Sequence, residues 1–541
     1  MKKTLYIFLL AGLTCFSGCS KFLDEENKGS ANADEFYLTA EGFESLVNAG
    51  YSSLRDVYSG PPYIFLAGTD LFFSAGAEAP AALTAYHTLT PGTSQVGDFF
   101  NKLYQSIQIT NTALHYADIT EQTSTVTSRK GEVRFLRAYY YFLLVQHFGD
   151  VSLVTEMVRE PITHFNRDPA SEVYNFIISE MHQSITELPD AQSDVGRVTK
   201  RAVKHMLAKA YLTRGYEDYA EEDDFENAAK WADEAINNEP LTVPYEQIFA
   251  YKNDVNPEIL FSIQYDQVSL IQGGAHQWDE LFGPLINSTG EGVNKYLRLK
   301  VTEYTWKLFG EYDTRFEGTF LNVRTHPYVG YYLDPNGYDV GYYYPRTQAQ
   351  INDTANWRAA DPEHRSNTVI VPINPFWWHI NNQSEYPSLR KFDRIQLPDV
   401  RYTHDLFLAR LGETYLIAAE AYFQMDDLPT AAERINEVRR RAAMPGHEMD
   451  MQIGPSDVTL DFILDERARE LAGEGHRWTD LKRTRKLMER TKMYNPEIRA
   501  IYDSGQDPFL GNNGHYKILR PIPLSAVSLD AGDYPQNPAY N

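Results

Sequence analysis

The chain has 541 residues, with 74 acidic against 50 basic side chains and a formal charge of −24. That balance excludes a binder of nucleic-acid backbones, which needs a basic footprint, and disfavours docking on anionic membrane surfaces. The 37 Tyr, 28 Phe and 7 Trp suit a sugar- or protein-binding surface, although most of these rings must serve the core of so long a chain.

At the N-terminus, Lys2 and Lys3 precede an apolar run from Leu5 to Leu13, with Ser17 and Gly18 directly ahead of Cys19. A charged start, an apolar stretch too short to span a bilayer and a small-residue cleavage site make residues 1–18 a secretory leader. The cysteine at the cut resembles a bacterial lipobox, in which the thiol is acylated and becomes the mature N-terminus. Phe16 stands where Leu is usual, and Cys15 sits in a poorer cleavage context. The alternative is ordinary secretory cleavage that leaves Cys19 a spare thiol. Either way one cysteine remains, so no internal disulfide is expected. No later run of about eighteen apolar residues marks a membrane span. Residues 19–35 are small, polar and charged, and read as a flexible tether.

Helical periodicity follows. It predicts helices over 97–118, over 130–148 with apolar residues round most of the circumference, and over 171–188 and 200–213. A helix over 227–238 completes a pair with 201–213, and their alanines allow close approach in the manner of a tetratricopeptide unit. A second such pair is expected at 408–424 and 430–442, with Asp426, Asp427 and Pro429 in the turn. Two units about 180 residues apart do not make a continuous array, so something is inserted. The insert, about 245–400, has a strand-like alternation at 258–265 and stretches rich in Gly, Pro and Asn. Its segment 326–347 holds seven tyrosines. The expected architecture is therefore mainly α: a tetratricopeptide-like helical-repeat scaffold (about 36–244 and 401–541) carrying an irregular, loop-rich lobe with short strands.

The usual catalytic signatures are absent, with no GxSxG, HExxH, Walker loop or paired CxxC. LDPNGYD at 333–339 has oxygen ligands without the spacing of a calcium loop, so neither a metal nor a cofactor is expected. The densest charged motif is ILDERARELAGEGHRWTDLKR at 463–483. Spacings of four place Glu466, Glu470 and Glu474 along one helix face. Together with Arg467 and Arg477 they make either an acid/base cluster or, as we read them, a salt-bridge network closing the core.

ERARELAGEGHRWTDLKR resembles the C-terminal signature of the SusD/RagB family of Bacteroidetes surface lipoproteins. DFFNKLYQSIQITNTAL, GEVRFLRAYYYFLLVQHFGDVSLV, GRVTKRAVKHMLAKAYL, RLGETYLIAAEA, RINEVRRRA and IPLSAVSLDAGDYPQNPAY are similar to further family blocks in the family's order. Phe99 or Phe100, Ser152 and Ala539 replace residues common there. The resemblance implies a non-catalytic lipoprotein on the outer face of the outer membrane, lidding a SusC-like TonB-dependent transporter. It implies capture of a glycan, or in some branches a peptide, and delivery to that transporter. Asp24, Glu25 and Glu26 fit the family's acidic stretch after the lipid cysteine.

The family's ligand loops fall at about 71–98 and 268–296 here. They offer Phe73, Tyr86, His87, Trp278 and Phe282. Trp278, in the glycine-flanked polar loop GGAHQWDELFG, is the first choice, since stacking rings with polar neighbours suit sugars. Trp306, in the helical TEYTWKLF, is expected in the core. Trp377 and Trp378 in extended chain face opposite ways, leaving one exposed. Tyr332 and Tyr343 complete the ligand candidates, unless the tyrosine-rich loop faces the transporter. Surface glycoside hydrolysis is the alternative from another class, and it requires two carboxylates about 5 to 10 Å apart. A purely structural partner of the barrel is a third.

Overall fold

The computed structural model describes residues 33–60, 62–76, 79–192, 194–250, 253–265, 276–278, 298–326, 339–379, 388–391 and 404–541. Cys19, the leader, most of the tether, Phe282 and Tyr332 lie outside these residues.

The principal helices are α1 Ala40–Tyr58, α2 Ser94–Ile119, α3 Ser124–Phe148, α4 Ala170–Glu187, α5 Lys200–Arg214 and α6 Asp224–Ile236. After the insert come α7 Leu411–Gln424, α8 Leu428–Ala442, α9 Leu460–Leu471, α10 Arg477–Arg483, α11 Leu487–Tyr494 and α12 Pro496–Asp503. Local chemistry sets several ends. Thr123, Thr199 and Asp427 accept backbone N–H bonds as N-caps of α3, α5 and α8. Asn237 closes α6 in the left-handed region. From Gly131 to Phe148 all residues of α3 except Arg134 are buried, as its apolar circumference requires. Among the described residues no helix is long and apolar enough to cross a membrane.

The two alanine-rich pairs, distant in sequence, are neighbours in space. Helix α6 packs directly on α7, with Ala228, Ala229, Ala232 and Ala235 fully or almost fully buried. Tyr422 Oη donates to Asp233 at 2.7 Å, and Tyr415 Oη donates to the Glu239 carbonyl at 2.8 Å. The repeat array therefore continues across the insertion. Sequence 408–410, expected to open a helix, instead ends a strand, Leu406–Arg410. This strand pairs antiparallel with Ile259–Ile263, Ile259 opposite Arg410. The ladder ties the entry of the insert to its exit, which is why the scaffold tolerates so long an excursion.

Within the insert the described strands are short. Leu299–Val301 pairs with Phe72–Ser74 of the N-terminal half, Phe320–Leu321 with Ser388–Leu389, and Asp339–Tyr343 lies between Val323–His326 and Val369–Ile370. A continuous apolar core runs from Leu54 of α1 through Trp306, Phe316 and Phe320 of the insert to Ile522 and Tyr534. The insert is packed into the scaffold rather than hung from it.

A buried ionic cluster joins these parts. Arg410 donates from Nε to Glu474 (2.6 Å), and from Nη1 to Glu258 (2.9 Å) and Glu470 (2.6 Å). Arg441 pairs with Glu258 and Glu470, and Lys391 Nζ reaches Glu474 at 2.7 Å. Arg315 bridges Asp313, Glu466 and Glu470. Glu474 is not on the helix face expected for it: α9 stops at Leu471, and Gly473 and Gly475 take φ of +83° and +86°. The turn, rather than helical spacing, swings Glu474 into the same cluster. Gly412 leaves the space, since a Cβ there would lie 2.6 Å from Arg410 Nη1 and 2.7 Å from Glu470 Oε1. The arrangement is structural: each carboxylate of the 466–474 run is held by at least two cations.

Burial alone would raise the Glu466 carboxyl, but Arg315, Arg469 and Arg439 outweigh it and bring it down to about 2. Asp480 likewise falls to about 2, beside Arg467 and Arg483. Burial pushes the His476 imidazole down to about 4 despite Glu413. All three groups bind fewer protons folded than unfolded, so each loses its contribution as pH falls. His476 acts from its unfolded value, roughly 6.5, down to about 4, and the carboxylates from roughly 4 to about 2. The urea midpoint should therefore be lower at pH 5 than at pH 7, and lower again at pH 3. A midpoint independent of pH would contradict this account. At neutral pH, Glu470→Ala should cost roughly 3–5 kcal/mol, because it strands buried guanidinium groups.

Candidate functional site

Most of the aromatic residues expected to meet ligand lie in the core. Trp278 is 1% exposed. Its ring packs 6.0 Å from Phe65 and 6.2 Å from Tyr58, over Gly475, where a Cβ would sit 2.8 Å from the indole. This side chain points inward and packs in the core, so it is placed as a core ring rather than as an exposed platform for a ligand. Tyr86 is buried at φ +62°, donating to the Gly68 carbonyl (2.7 Å) and accepting from Trp478 Nε1 (3.0 Å). Phe73 is buried in the strand paired with Leu299–Val301. Trp377 and Trp378 do not diverge as an extended chain would make them. A 3-10 turn, Pro375–Trp378, packs both against Trp306, which is itself in the core as expected. Tyr343 is buried and stacks on Trp357 at 4.3 Å. Of the nine ligand candidates, His87 is exposed, and Trp378, 7% exposed, lines a cleft.

That cleft, about 450 Å³, is formed by segments distant in sequence. Strand Leu299–Val301 runs into Thr302, which N-caps the short helix Glu303–Lys307 and donates to the Asp70 carbonyl at 2.7 Å. This places Tyr304 on the wall. Tyr494 ends α11, and Asn495 caps α12 while donating to the carbonyls of Thr69 and Phe72. The Tyr304 and Tyr494 rings stack with centroids 4.1 Å apart and planes inclined by 22°. Arg490 lies 5.2 Å and 5.3 Å from the two ring centroids. Its Nη2 donates to Tyr304 Oη at 2.6 Å, and Tyr304 Oη donates to Asp465 at 2.5 Å. Arg490 is fixed in turn by Asp70, at 2.9 Å, which also takes a bidentate pair from Arg477 at 2.8 and 2.6 Å. Burial alone would raise the Asp70 carboxyl, yet these two arginines hold it below its usual value. Burial raises the Tyr304 phenol well above its usual value, so it stays neutral.

The rim carries Glu303, Lys307, Arg469 and Arg499. Rigid rings bordered by hydrogen-bonding groups, in a cleft of this size, provide what a pyranose needs: a face for its C–H groups and partners for its hydroxyls. Asp465 is committed to Arg490 and Tyr304, and Glu303 pairs with Lys307 at 2.6 Å. Asp465 therefore does not stand free as an acid/base partner. Two other clefts are less suited. One of about 590 Å³, between α2 and the 525–534 segment, is largely apolar. In another, near Tyr51 and Gly196, Arg197 is taken up by Glu44, Glu132 and Asp194. Among the described residues no group of three or more His, Cys, Asp or Glu is placed to hold a metal ion.

Sequence reasoning missed Tyr304, Tyr494, Arg469 and Arg499. Tyr304 had a signal: two residues before the buried Trp306 on a helix, it must point about 200° away from it. The others had none.

The SusD family model matches residues 257–540, and the model described as starch-binding associating with outer membrane matches residues 21–212. The chain is 26% identical to SusD-like protein P2 of Formosa agariphila over the full length of both. It is 26% identical over 398 residues to the starch-binding protein SusD of Bacteroides thetaiotaomicron, covering 68% of this chain and 66% of that one. A laminarin-binding SusD-like protein superposes with a TM-score of 0.66 at 22% identity, over 93% of this chain and all of the other. A SusD superfamily protein of Parabacteroides distasonis gives a TM-score of 0.68 at 21% identity, over 92% and 99%.

With Trp278 buried against Phe65, Tyr58 and Gly475, Trp278→Ala should cost about 3–5 kcal/mol of unfolding free energy, as large aromatic truncations in cores do. Trp278→Phe should recover part of it. Urea unfolding of the three proteins checks this, and an unchanged midpoint for the alanine variant would place the ring back at the surface.

Proposed function

The chain belongs to the SusD family, and from that premise we propose that it is a non-catalytic cell-surface lipoprotein that captures a glycan and hands it to a SusC-like TonB-dependent transporter. The observation that carries the reading is the stacked Tyr304–Tyr494 pair, clamped by Arg490 at the mouth of a cleft with a polar rim. A ring pair fixed before the ligand arrives loses little side-chain freedom on binding. The relatives named for laminarin and starch support a carbohydrate as the ligand class. The commitment of Asp465 to Arg490 and Tyr304 supports binding without hydrolysis. The lipobox-like run to Cys19 and the match to a family described as associating with the outer membrane support the location.

Affinity electrophoresis of the mature protein through polysaccharide gels tests the reading, with product analysis of the same mixtures. Retention without product is expected. Release of shortened sugar would make the protein a hydrolase, and retention only on peptide supports would make it a peptide binder. Tyr494→Ala should weaken glycan retention about tenfold, the equivalent of about 1.4 kcal/mol, within what a stacked ring and its buried area supply. Cys19→Ser should leave a folded protein that partitions into the aqueous phase of a Triton X-114 separation, since acyl chains would provide the anchor. Its persistence in the detergent phase would remove the lipid from the account.

A further inference from the structure

In a chain with a formal charge of −24, the cleft at Tyr304 is an exception to the overall sign. Its wall holds three cations, Lys307, Arg469 and Arg499, against two carboxylates, Glu303 and Asp465. Both carboxylates are already engaged, as described above. Arg469 is occupied too, by Glu466 at 2.5 Å and the Leu308 carbonyl at 3.0 Å.

Arg499 differs from all of these. It makes no ion pair among the described residues, and its side chain's one hydrogen bond there is a 3.3 Å contact from Nη1 to the Met493 carbonyl. It stands one helical turn into α12, five residues after the stacking ring of Tyr494. Lys307 adds a second cation that can be recruited, since its pair with Glu303 is exposed on both sides and such pairs hold weakly. A planar guanidinium with its donors free is built to take a planar or tetrahedral oxyanion on two N–H groups. Beyond a Debye length of about 8 Å the remaining negative charge of the protein is screened, so this local balance governs an anion at the cleft.

We propose that this cleft selects a negatively charged glycan: one sugar ring lies on the Tyr304–Tyr494 pair while its carboxylate or sulfate ester is received by Arg499, with Lys307 beside it. The proposal rests on the glycan-binding reading and adds the charge class of the ligand. Uronate and sulfate ester present the same chemistry to a guanidinium, and the experiment separates them.

The test is affinity electrophoresis of the mature protein at moderate salt through gels containing polygalacturonate, dextran sulfate, unmodified dextran or laminarin. Wild-type protein, Arg499→Gln and Arg485→Gln are compared, the last neutralising an exposed arginine paired with Asp218 away from the cleft. The expected result is retention by one or both anionic polymers at least tenfold stronger than by the neutral ones. That preference should fall at least fivefold in Arg499→Gln and persist in Arg485→Gln, with all three proteins unfolding at the same temperature. Polygalacturonate retention alone identifies the carboxylate, and dextran sulfate retention alone the sulfate ester. Equal or stronger retention by the neutral polymers overturns the charge selection and leaves glycan binding standing. Equal losses in both variants mark non-specific ionic attraction and overturn the proposal. Retention by none of the four overturns it together with the glycan reading.

Discussion

The fold depends on Arg410. This side chain stands where the insert returns to the scaffold, and it bonds at once to Glu258 at the insert's entry and to Glu470 and Glu474 of the C-terminal signature. Three parts of the chain that are 150 residues or more apart, or separated by a whole helical pair, are thus closed on one guanidinium. Taking these charges out of water is costly, and the cost is offset only when every partner is present. Arg315 and Lys391 come from the insert, Arg441 from α8, and the carboxylates from the signature and from Glu258. A mispaired arrangement would leave at least one of them buried and alone. The cluster therefore specifies which segments meet, beyond whatever net stability it contributes.

The same signature reaches the cleft by a second ionic chain. Arg477, at the start of α10, fixes Asp70; Asp70 fixes Arg490; and Arg490 holds the Tyr304 hydroxyl. The cleft wall is supported from behind by buried, engaged groups, which hold its shape without help from a ligand. A GEGHRW turn that reads as a local motif serves three places at once. Glu474 enters the Arg410 cluster, Gly475 makes room for Trp278, and Arg477 begins the path to the tyrosine pair.

Helices and the alanine-rich pairs were legible because their signal is local: apolar spacing near 3.6, small residues at close contacts, and caps such as Thr123 and Asp427. The insertion was legible from its change of texture, but not the Ile259–Ile263 and Leu406–Arg410 ladder that closes it, since pairing across such a separation leaves no local trace. Three of the aromatic candidates, Trp278, Tyr86 and Phe73, are buried for one shared reason. They lie in segments whose composition is that of loops, and a loop's composition describes its backbone rather than a ring it sends into the core. Without an internal disulfide among the described residues, buried rings take on much of the packing, so aromatic abundance here reports on the interior.

Tyr304 and Trp306 show how the two roles are divided within five residues. The helix Glu303–Lys307 turns Trp306 into the core, where it meets Phe316, Phe320 and both tryptophans of the 375–378 turn. The opposite face presents Tyr304 to the cleft. Groups that decide the fold, such as Arg410, Asp70 and Trp306, are buried and each satisfies several partners, so a change there is felt throughout the molecule. Groups on the rim, such as Lys307 and Arg499, are exposed and carry little of the packing. Substitutions at the rim come at almost no cost to stability. Surface residues of such a helical framework can therefore change while the ionic clusters behind them stay as they are.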